Sequence, residues 1–387
     1  SPIGPLKWGD TLQEIIDAGS DEPFFPVSNG EYSDPFNPDD MAAINFTSGS
    51  TGVPKGAVYT HGIFAAQVEL IRHTYGIEPG EIDLCTFPLF ALFAPALGMT
   101  AVIPDMDFTR PANVNPERIV EAMNDFGPTN MFGSTALLNR VGRYCSKHSI
   151  RFPSLRRVIC AGAPINPEVL RYFTPALSED AEVHSGYGAT EAMPLASISS
   201  NTILNETGEQ TDQGAGVCVG TPNHGIKLDI ITITDDAIET WDDSLSQPAN
   251  TIGEIVTHGP VVTQSYFNRD EATRLAKIKD EATGRFRHRM GDLGWFDDQG
   301  RLWFCGRKKH RLETVSGPMY TIPVEGVFNT HPRVFRTALV GLGAQGNEVP
   351  VLCVEPESGY TDRIKDDSFA RELVSELRDI GKGFEHT

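Results

Sequence analysis

Apolar and polar residues alternate with two different periods along the first 200 residues. Apolar residues recur every three to four positions in His61–Tyr75 and in Pro116–Phe126, which predicts two amphipathic helices. Short apolar runs at Met41–Phe46 and at residues 157–160 predict buried strands. Strands that alternate with helices indicate an α/β region with a parallel sheet.

The pattern changes after about Gly214, where short alternating runs separated by turn residues predict a small antiparallel sheet or barrel. Two more strands and an amphipathic helix near the end of the chain predict a small α+β unit. We therefore predict a large domain over residues 1–306, barrel-like in 214–306, and a C-terminal domain over 307–387. The strands are predicted at 226–230, 253–256, 302–304, 337–340 and 349–354, and the last helix at 368–380.

Composition narrows the classes of function. The 387 residues are 40% hydrophobic and 22% charged, which is typical of a globular protein. The net charge of −20 disfavours a nucleic acid as partner, although a local basic pocket could still bind a small anion. None of the six cysteines forms a CxxC pair and several lie in apolar runs, which indicates a reducing, cytoplasmic setting.

Residues 84–104 carry no charge and are long enough to cross a bilayer. Pro88, Pro95, Gly98 and Pro104 would break an isolated helix and leave backbone groups unsatisfied in lipid. We therefore expect no transmembrane segment here, but a buried strand, turn and helix that could form the wall of an apolar substrate pocket.

The loop between the first predicted strand and helix is rich in glycine and hydroxyl groups. Its N–H groups can form an anion-binding nest, and Lys55 adds a cation. It is not a Walker A loop, because its lysine follows a proline and precedes no Ser or Thr. A flexible Ser/Gly connection is the alternative. The loop consists of Thr47, Ser48, Gly49, Ser50, Thr51, Gly52, Val53, Pro54, Lys55 and Gly56.

Two later segments carry further candidate chemistry. In the first, an aromatic ring between glycines can stack on a purine, and Glu191 can hold Mg²⁺ on a polyphosphate. In the second, Asp292 can accept both hydroxyls of a ribose, and Arg307 can meet a phosphate. An ordinary turn, a helix cap and a surface cation are the respective alternatives. The first segment consists of Gly186, Tyr187, Gly188, Ala189, Thr190 and Glu191.

Together and in this order, these segments resemble the adenylate-forming superfamily of acyl-CoA synthetases, peptide-synthetase adenylation domains and luciferases. The resemblance covers roughly residues 40–355. It implies an α/β adenylate-forming fold with a large N-terminal domain and a small mobile C-terminal domain, and we expect the chain to be incomplete at both ends. The matching stretches are 47–56, 161–164, 187–191, 291–292 and 306–309.

The resemblance also implies a two-step reaction with ATP and Mg²⁺. A carboxylate attacks the α-phosphate to give an acyl-adenylate and pyrophosphate, and a nucleophile then displaces AMP. By the same resemblance, Thr51 and Glu191 would hold Mg²⁺, Asp292 would bind ribose, and Lys55 and Arg307 would meet phosphate. Adenine would be held by Tyr187 and by the turn of Ala161, Gly162, Ala163 and Pro164.

Three departures from the family pattern bear on the substrate. His310 replaces the usual hinge acid, and Glu313 replaces a later lysine, where a carboxylate would repel the phosphates of CoA. Ala91 stands where a histidine often guards the acyl site, which predicts a more apolar pocket. Drift on a surface loop is the alternative explanation for the changes at 310 and 313.

In these details the chain resembles the OleC-type β-lactone synthetases of bacterial long-chain olefin biosynthesis. That branch implies a 2-alkyl-3-hydroxy fatty acid whose own 3-hydroxyl closes the lactone, with other olefin-biosynthesis enzymes as possible partners. A long-chain acyl-CoA ligase is the alternative. A non-catalytic adenylate binder is a third hypothesis, since the family's C-terminal adenylation lysine has no clear match; Lys382 stands in unlike surroundings.

Overall fold

The computed structural model describes residues 37–47, 53–87 and 90–384, and the backbone of two short strands before them. Ser200–Thr202 and Ile203–Thr207 form one further helical turn each, the second of them π-helical. The other α-helices are α1 (His61–Tyr75), α2 (Phe90–Ala96), α3 (Pro116–Phe126), α4 (Thr135–His148), α5 (Pro167–Phe173), α6 (Gly208–Asp212), α7 (Asp270–Ala276), α8 (Thr321–Phe328) and α9 (Asp367–Gly381).

The strands are spread along the described part of the chain. They are β1 (Val27–Ser28), β2 (Glu31–Tyr32), β3 (Met41–Phe46), β4 (Gly56–Thr60), β5 (Ile82–Cys85), β6 (Thr100–Val102), β7 (Asn130–Ser134), β8 (Arg157–Ala161), β9 (Glu182–Ala189), β10 (Ala192–Ser199), β11 (Val217–Pro222), β12 (Lys227–Ile231), β13 (Gly253–His258), β14 (Lys277–Asp280), β15 (Arg285–Phe296), β16 (Leu302–Arg307), β17 (Leu312–Thr314), β18 (Gly317–Met319), β19 (Val334–Leu342) and β20 (Val349–Pro356).

The predicted parallel sheet is confirmed in β6, β5, β7, β8 and β9, which are neighbours in that order. Successive side chains of a strand point to opposite faces, and the two faces bury different sets. Met131 and Val158 pack in a core with α3, α4 and α5, whereas Phe132 and Ile159 pack in another with α1 and α2. The sheet therefore carries helices on both faces.

The antiparallel strands predicted after Gly214 are present, but they do not form a sheet of their own. β10 pairs antiparallel with both β9 and β11, so the sheet continues through β11, β16, β15, β13 and β12. The local pattern predicted these strands but does not encode the long-range pairing that joins them to the parallel sheet, and the barrel-like character of 214–306 stays a prediction. The domain boundary at residues 306 and 307 stays a prediction.

Local signals placed the helices well. α1 and α3 have the predicted bounds, and each starts at a capping side chain, Thr60 and Asn115, and ends at a glycine with positive φ, Gly76 and Gly127. The buried face of α1 differs in part from the predicted one, because Phe64 and Val68 are only partly buried while Gln67 is buried.

The first predicted strand differs from expectation in its surroundings. β3 is largely exposed rather than buried, with Met41 54% and Phe46 69% exposed. It pairs antiparallel with β4, so the glycine-rich loop connects two strands of a hairpin and α1 follows only after β4. The predicted order of strand, loop and helix therefore lacked one strand.

Residues 84–104 form the end of β5, then α2 and β6, which confirms the strand, turn and helix expected there. Among the described residues, no helix combines the length and the apolar character needed to cross a membrane. The two strands and the helix predicted near the end of the chain are also confirmed as β19, β20 and α9. They share one core in which Phe369, Leu373 and Leu377 are buried.

Candidate active site

A cavity of about 1380 Å³ lies at the carboxyl ends of the parallel strands and along the α1/α2 face of the sheet. More than half of the candidate residues predicted from the sequence line it, although they come from four separate segments of the chain. They are Thr47, Lys55, Ala161, Gly162, Gly186, Tyr187, Gly188, Ala189, Thr190, Glu191 and Arg307. Of the remaining candidates, Gly56, Ala163, Pro164 and Asp292 are described but are not among the lining residues.

The base of the glycine-rich loop is held by two backbone contacts across its ends. The Thr47 N–H donates to the Lys55 carbonyl at 3.0 Å, and the Lys55 N–H donates to Thr47 Oγ1 at 3.1 Å. Ser48, Gly49, Ser50, Thr51 and Gly52 lie outside the described residues, so their predicted roles stay predictions.

Glu191 lies in the turn between β9 and β10 and is held from two sides. The Tyr266 hydroxyl donates to Glu191 Oε1 at 2.6 Å, and the Thr263 N–H and hydroxyl each donate to the Glu191 carbonyl at 2.9 Å. Lys55 lies with its ammonium 4.5 Å from the centre of the Tyr266 ring. Burial lowers the pKa of Lys55, and the nearby Glu191 carboxylate opposes that shift.

Asp292, Tyr187 and Arg307 form a compact polar group although they lie on three different strands. The Tyr187 hydroxyl donates to Asp292 Oδ2 at 2.8 Å, and Arg307 Nη1 lies 2.7 Å from Asp292 Oδ1. Burial raises the pKa of Asp292 to about 6, while Arg307 and the Tyr187 hydroxyl act in the opposite direction. Arg307 remains 42% exposed in its side chain, so it can meet a ligand from the solvent side.

The rest of the cavity is an apolar arm between the sheet and helices α1 and α2. Phe90 stacks on Phe132 with ring centroids 3.5 Å apart. Ala91, predicted to make this pocket more apolar, packs against the same cluster without lining the cavity. The apolar arm is lined by Ile71, Tyr75, Ile77, Phe87, Phe90, Phe93, Ala94, Leu97, Met99, Phe132 and Ile159.

The far end of the apolar arm is polar. Asp83 and Asn130 start on neighbouring strands, line the cavity and are 3% and 2% exposed. The Asn130 amide donates to Asp83 Oδ1 at 2.5 Å, whereas Asn130 Oδ1 has no hydrogen-bond partner among the described residues. Burial raises the pKa of Asp83. The arm therefore ends at a polar floor, roughly 13 Å from the carboxyl ends of strands this long.

The segment after Arg307 is anchored by a buried ion cluster. Glu254 is 1% exposed and lies 2.6 Å from Arg289 Nη2 and 3.2 Å from Lys308 Nζ. Lys308 also donates to the Thr234 carbonyl at 2.9 Å. This cluster fixes the backbone at the predicted hinge, whereas His310 itself is exposed.

Glu313 lines the cavity together with a second carboxylate, Glu348. Arg311 Nε donates to Glu313 Oε1 at 2.6 Å, so part of the charge of Glu313 is neutralised. Glu348 accepts from the Glu313 N–H at 2.6 Å. The same part of the cavity is also lined by Lys309 and Arg311, so the two acids lie among cations.

Some candidate residues have a structural reason for their identity. A Cβ at Gly188 would lie 2.8 Å from Met193 Cβ and 2.9 Å from the Ala192 carbonyl oxygen. The tight β9–β10 hairpin therefore requires a glycine at 188 whether or not a nucleotide approaches. At Gly162, where φ is +98°, a Cβ would meet nothing within 4 Å, so the space beside the cavity is open there.

Sequence reasoning missed Tyr266, Thr263, Lys277, Asp83 and Asn130. They occupy a loop or strand starts with no distinctive spacing. Only long-range strand pairing brings Tyr266, Asp83 and Asn130 to the cavity and Thr263 and Lys277 to the Glu191 turn. The one local signal was a charged residue inside an otherwise apolar strand start, at Asp83.

The donors available for a metal are few. Within the described ranges, no group of three or more His, Cys, Asp or Glu side chains could hold an ion by itself. Mg²⁺ typically binds proteins through one or two carboxylates together with substrate phosphates. Glu191 beside a cation-lined cavity fits that mode, in which the nucleotide supplies the remaining ligands.

Comparison with solved structures places the fold. The amide bond synthetase McbA of Marinactinospora thermotolerans is 24% identical, with a TM-score of 0.68 over 86% of this chain and 64% of that one. The O-succinylbenzoate coenzyme A synthetase of Bacillus subtilis, solved with ATP and a magnesium ion, is 23% identical, with a TM-score of 0.66 over the same shares. The chain therefore has the fold of adenylate-forming enzymes, as predicted.

Curated relatives are more similar in sequence. The olefin beta-lactone synthetase of Xanthomonas campestris pv. campestris is 49% identical over 90% of this chain and 62% of its own length. The enzyme of the same name from Stenotrophomonas maltophilia is 47% identical over 92% and 63%. A long-chain-fatty-acid–CoA ligase of Escherichia coli O157:H7 is 26% identical over 84% and 54%. The chain thus spans less than two thirds of these relatives.

The profile of the AMP-binding enzymes matches residues 6–267, which include the glycine-rich loop, the Glu191 turn and Tyr266. That match covers more than half of the chain. The cavity with its cation, carboxylate and ribose-type acid agrees with it. The chain therefore belongs to the family of AMP-binding enzymes.

Proposed function

We propose that the protein is an AMP-forming ligase that converts a long-chain 2-alkyl-3-hydroxy acid and ATP into a β-lactone, AMP and pyrophosphate. The observation that carries the proposal is the single cavity that joins a nucleotide-type polar end to a long apolar arm. The 49% sequence identity of the chain to an olefin beta-lactone synthetase supports the choice of a β-lactone as product.

In the first step, a carboxylate oxygen of the acid attacks the α-phosphorus of ATP and pyrophosphate leaves. Catalysis depends mainly on positioning and on neutralising the phosphate charge. Lys55 and Arg307 line the cavity as cations for the phosphates, and the buried Asp292, which pairs with Arg307, is the proposed partner of the ribose hydroxyls. Bound Mg²⁺ would neutralise phosphate oxygens, held by Glu191 and, by resemblance, Thr51.

In the second step, the oxygen of the 3-hydroxyl attacks the acyl carbon of the same molecule. The bond from that carbon to the AMP oxygen breaks, AMP leaves, and the hydroxyl proton is released. Because the nucleophile belongs to the substrate, no second substrate has to enter. The protein needs only to hold the alkyl chains in the apolar arm and to keep water from the adenylate.

The choice over a CoA ligase is supported by the 49% and 47% identity to two olefin beta-lactone synthetases, against 26% to a long-chain-fatty-acid–CoA ligase. Glu313 and Glu348 line the cavity beside Lys309 and Arg311, so the charge of this wall does not decide between the two reactions. A complex with other olefin-biosynthesis enzymes remains part of the proposal, supported by the resemblance alone.

The test is to supply ATP, Mg²⁺ and a 2-alkyl-3-hydroxy acid without CoA and to identify the products by mass spectrometry. We expect AMP, pyrophosphate and a product lighter than the acid by one water. The matched 2-alkyl acid without the 3-hydroxyl should give an acyl-adenylate that does not turn over to a lactone. AMP formation only when CoA is present, with a thioester as product, would contradict the proposal.

Glu191→Gln is the companion variant, because it keeps the side-chain volume and removes the charge. Pyrophosphate release should fall roughly 100-fold or more, while the circular dichroism spectrum stays that of the wild type. Unchanged turnover would remove Glu191 from the Mg²⁺ role. Adenosine binding by the wild type without any pyrophosphate release would favour the non-catalytic adenylate binder.

A further inference from the structure

Lys277 is a buried lysine that the mechanism above does not use. It begins β14, is 3% exposed and does not line the cavity. Within the described ranges, no carboxylate lies within 4.0 Å of its ammonium. A lysine is rarely buried without a charged partner because the ammonium loses its hydration. Burial accordingly lowers the pKa of Lys277 to about 7.

The ammonium of Lys277 is directed at a single residue, Thr263. Lys277 Nζ donates to the Thr263 carbonyl and lies 3.1 Å from Thr263 Oγ1. Thr263 in turn uses both of its donors, the N–H and the hydroxyl, on the carbonyl of Glu191, each at 2.9 Å. A continuous chain of hydrogen bonds therefore runs from Lys277 through Thr263 to Glu191.

The same segment also fixes the side chain of Glu191. Tyr266, three residues after Thr263, donates to Glu191 Oε1 at 2.6 Å. Its ring lies between two ammonium groups, with Lys55 at 4.5 Å and Lys277 at 5.9 Å from the ring centroid. Lys55 faces the cavity, whereas Lys277 supports the segment from behind.

We propose that Lys277 is a positioning residue, which holds the segment from Thr263 to Tyr266 so that the Glu191 carboxylate faces the metal-bound nucleotide. This inference rests on the proposed role of Glu191 in holding Mg²⁺. It assigns the buried ammonium a function in metal affinity rather than in ATP binding as such. Partners that orient a metal ligand typically contribute 10-fold to 100-fold to metal affinity.

The test compares ATP binding by calorimetry with Mg²⁺ and with EDTA, in the absence of the acid substrate. Lys277→Met should weaken binding of Mg²⁺–ATP by about 10-fold or more and leave metal-free ATP binding unchanged. Lys277→Arg, which keeps the charge and donors, should recover most of the loss. The matched control is Lys279→Met on the same strand, whose side chain is 57% exposed and which should behave as the wild type.

The enzyme assay gives a second readout. Lys277→Met should raise the Mg²⁺ concentration for half-maximal pyrophosphate release while its activity at saturating Mg²⁺ changes less. If that variant does not fold, Thr263→Val against Thr263→Ser tests the same chain of hydrogen bonds, because serine keeps the hydroxyl. Thr263→Val should show the metal-dependent loss and Thr263→Ser should not.

Two outcomes would overturn the inference, and each can be told apart from a failure of the proposed function. Equal Mg²⁺–ATP affinity in Lys277→Met and the wild type would overturn it, as would an equal loss of ATP affinity in EDTA. If Glu191→Gln also leaves Mg²⁺–ATP binding unchanged, the metal role of Glu191 has failed. If only Glu191→Gln weakens it, the metal role stands and the inference about Lys277 is wrong.

Discussion

At the scale of single residues, the proposed ribose-binding role of Asp292 predicts that nucleotide binding depends on pH. Burial raises the pKa of Asp292 to about 6, so the carboxylate is ionised at neutral pH and becomes protonated as the pH falls through that value. Only the ionised form accepts both ribose hydroxyls. We predict that adenosine affinity is constant above pH 7 and falls by up to about tenfold per pH unit below 6, measured by calorimetry.

Adenosine is the appropriate ligand for this measurement, because its ribose is intact and it carries no phosphate that titrates in the same range. Asp292→Asn should bind adenosine more weakly and show no dependence on pH between 5 and 7. If the variant keeps the pH profile of the wild type, Asp292 is not the titrating group.

The sequence identified Asp292, Tyr187 and Arg307 as candidates but not their mutual contacts. They are separated along the chain, and no local pattern encodes the 2.8 Å hydrogen bond or the 2.7 Å ion pair. The predicted stacking of Tyr187 on adenine stays a prediction, although its hydroxyl is already committed to Asp292. Residue types were predictable from chemistry, whereas their distances needed the strand pairing.

At the scale of elements, the helices followed their local signals. α1 and α3 have the bounds that the apolar periodicity predicted, and capping side chains and glycines, which act within a few residues, lie at their ends. The β3–β4 hairpin was not predicted from local signals, because β4 is a short run whose strand character comes from pairing with β3. Elements stabilised by neighbours distant in sequence are the ones that local patterns predict poorly.

The contact between α4 and α5 gives a prediction at this scale. A Cβ at Gly142 would lie 3.0 Å from the Phe173 backbone nitrogen and 3.1 Å from its Cα. Gly142→Val should therefore lower the free energy of unfolding by about 1–3 kcal/mol, measured by urea denaturation. Ala136→Val at an exposed position of the same helix is the control and should cost a few tenths of a kcal/mol.

Equal stability of the two variants would show that α5 can move away from α4 at little cost. The glycine at 142 would then have no packing role. The comparison is informative because both substitutions place the same β-branched side chain in the same helix.

At the scale of the whole molecule, several ion pairs connect the residues after 306 to the earlier part of the chain, and two of them differ in burial. Lys308 pairs with the buried Glu254 at 3.2 Å, and Arg143 pairs with Glu357 at 3.0 Å with side chains 37% and 22% exposed. Exposed pairs contribute little, while breaking a buried one leaves a charge without its partner. The two pairs should therefore differ in their effect on stability.

Lys308→Met removes one cation from the buried Glu254 but leaves it paired with Arg289. The free energy of unfolding should therefore fall by only about 1–3 kcal/mol. Arg143→Met should cost no more than about 1 kcal/mol. Urea denaturation of both variants at low and high salt measures the difference. A larger loss for Arg143→Met would contradict the assignment of Lys308 as the main anchor.

The net charge of −20 also has a clearer meaning at this scale. It disfavours a nucleic acid, but it does not disfavour ATP, because Lys55, Arg307 and Lys308 line the cavity. The acids Glu313 and Glu348 line the same cavity, and Glu313 is paired with Arg311. The net charge of the whole chain therefore does not describe the local charge around the cavity.

The sequence by itself determined the helices α1, α3 and α9, several of the strands, the family and the residue types of the nucleotide site, because these depend on local periodicity and ordered motifs. Only the tertiary structure decided that one sheet runs through both halves of the chain and that the apolar arm ends at Asp83 and Asn130. It also placed the buried Lys277 behind Glu191. These features arise from pairing and packing between residues distant in the chain, which no local pattern records.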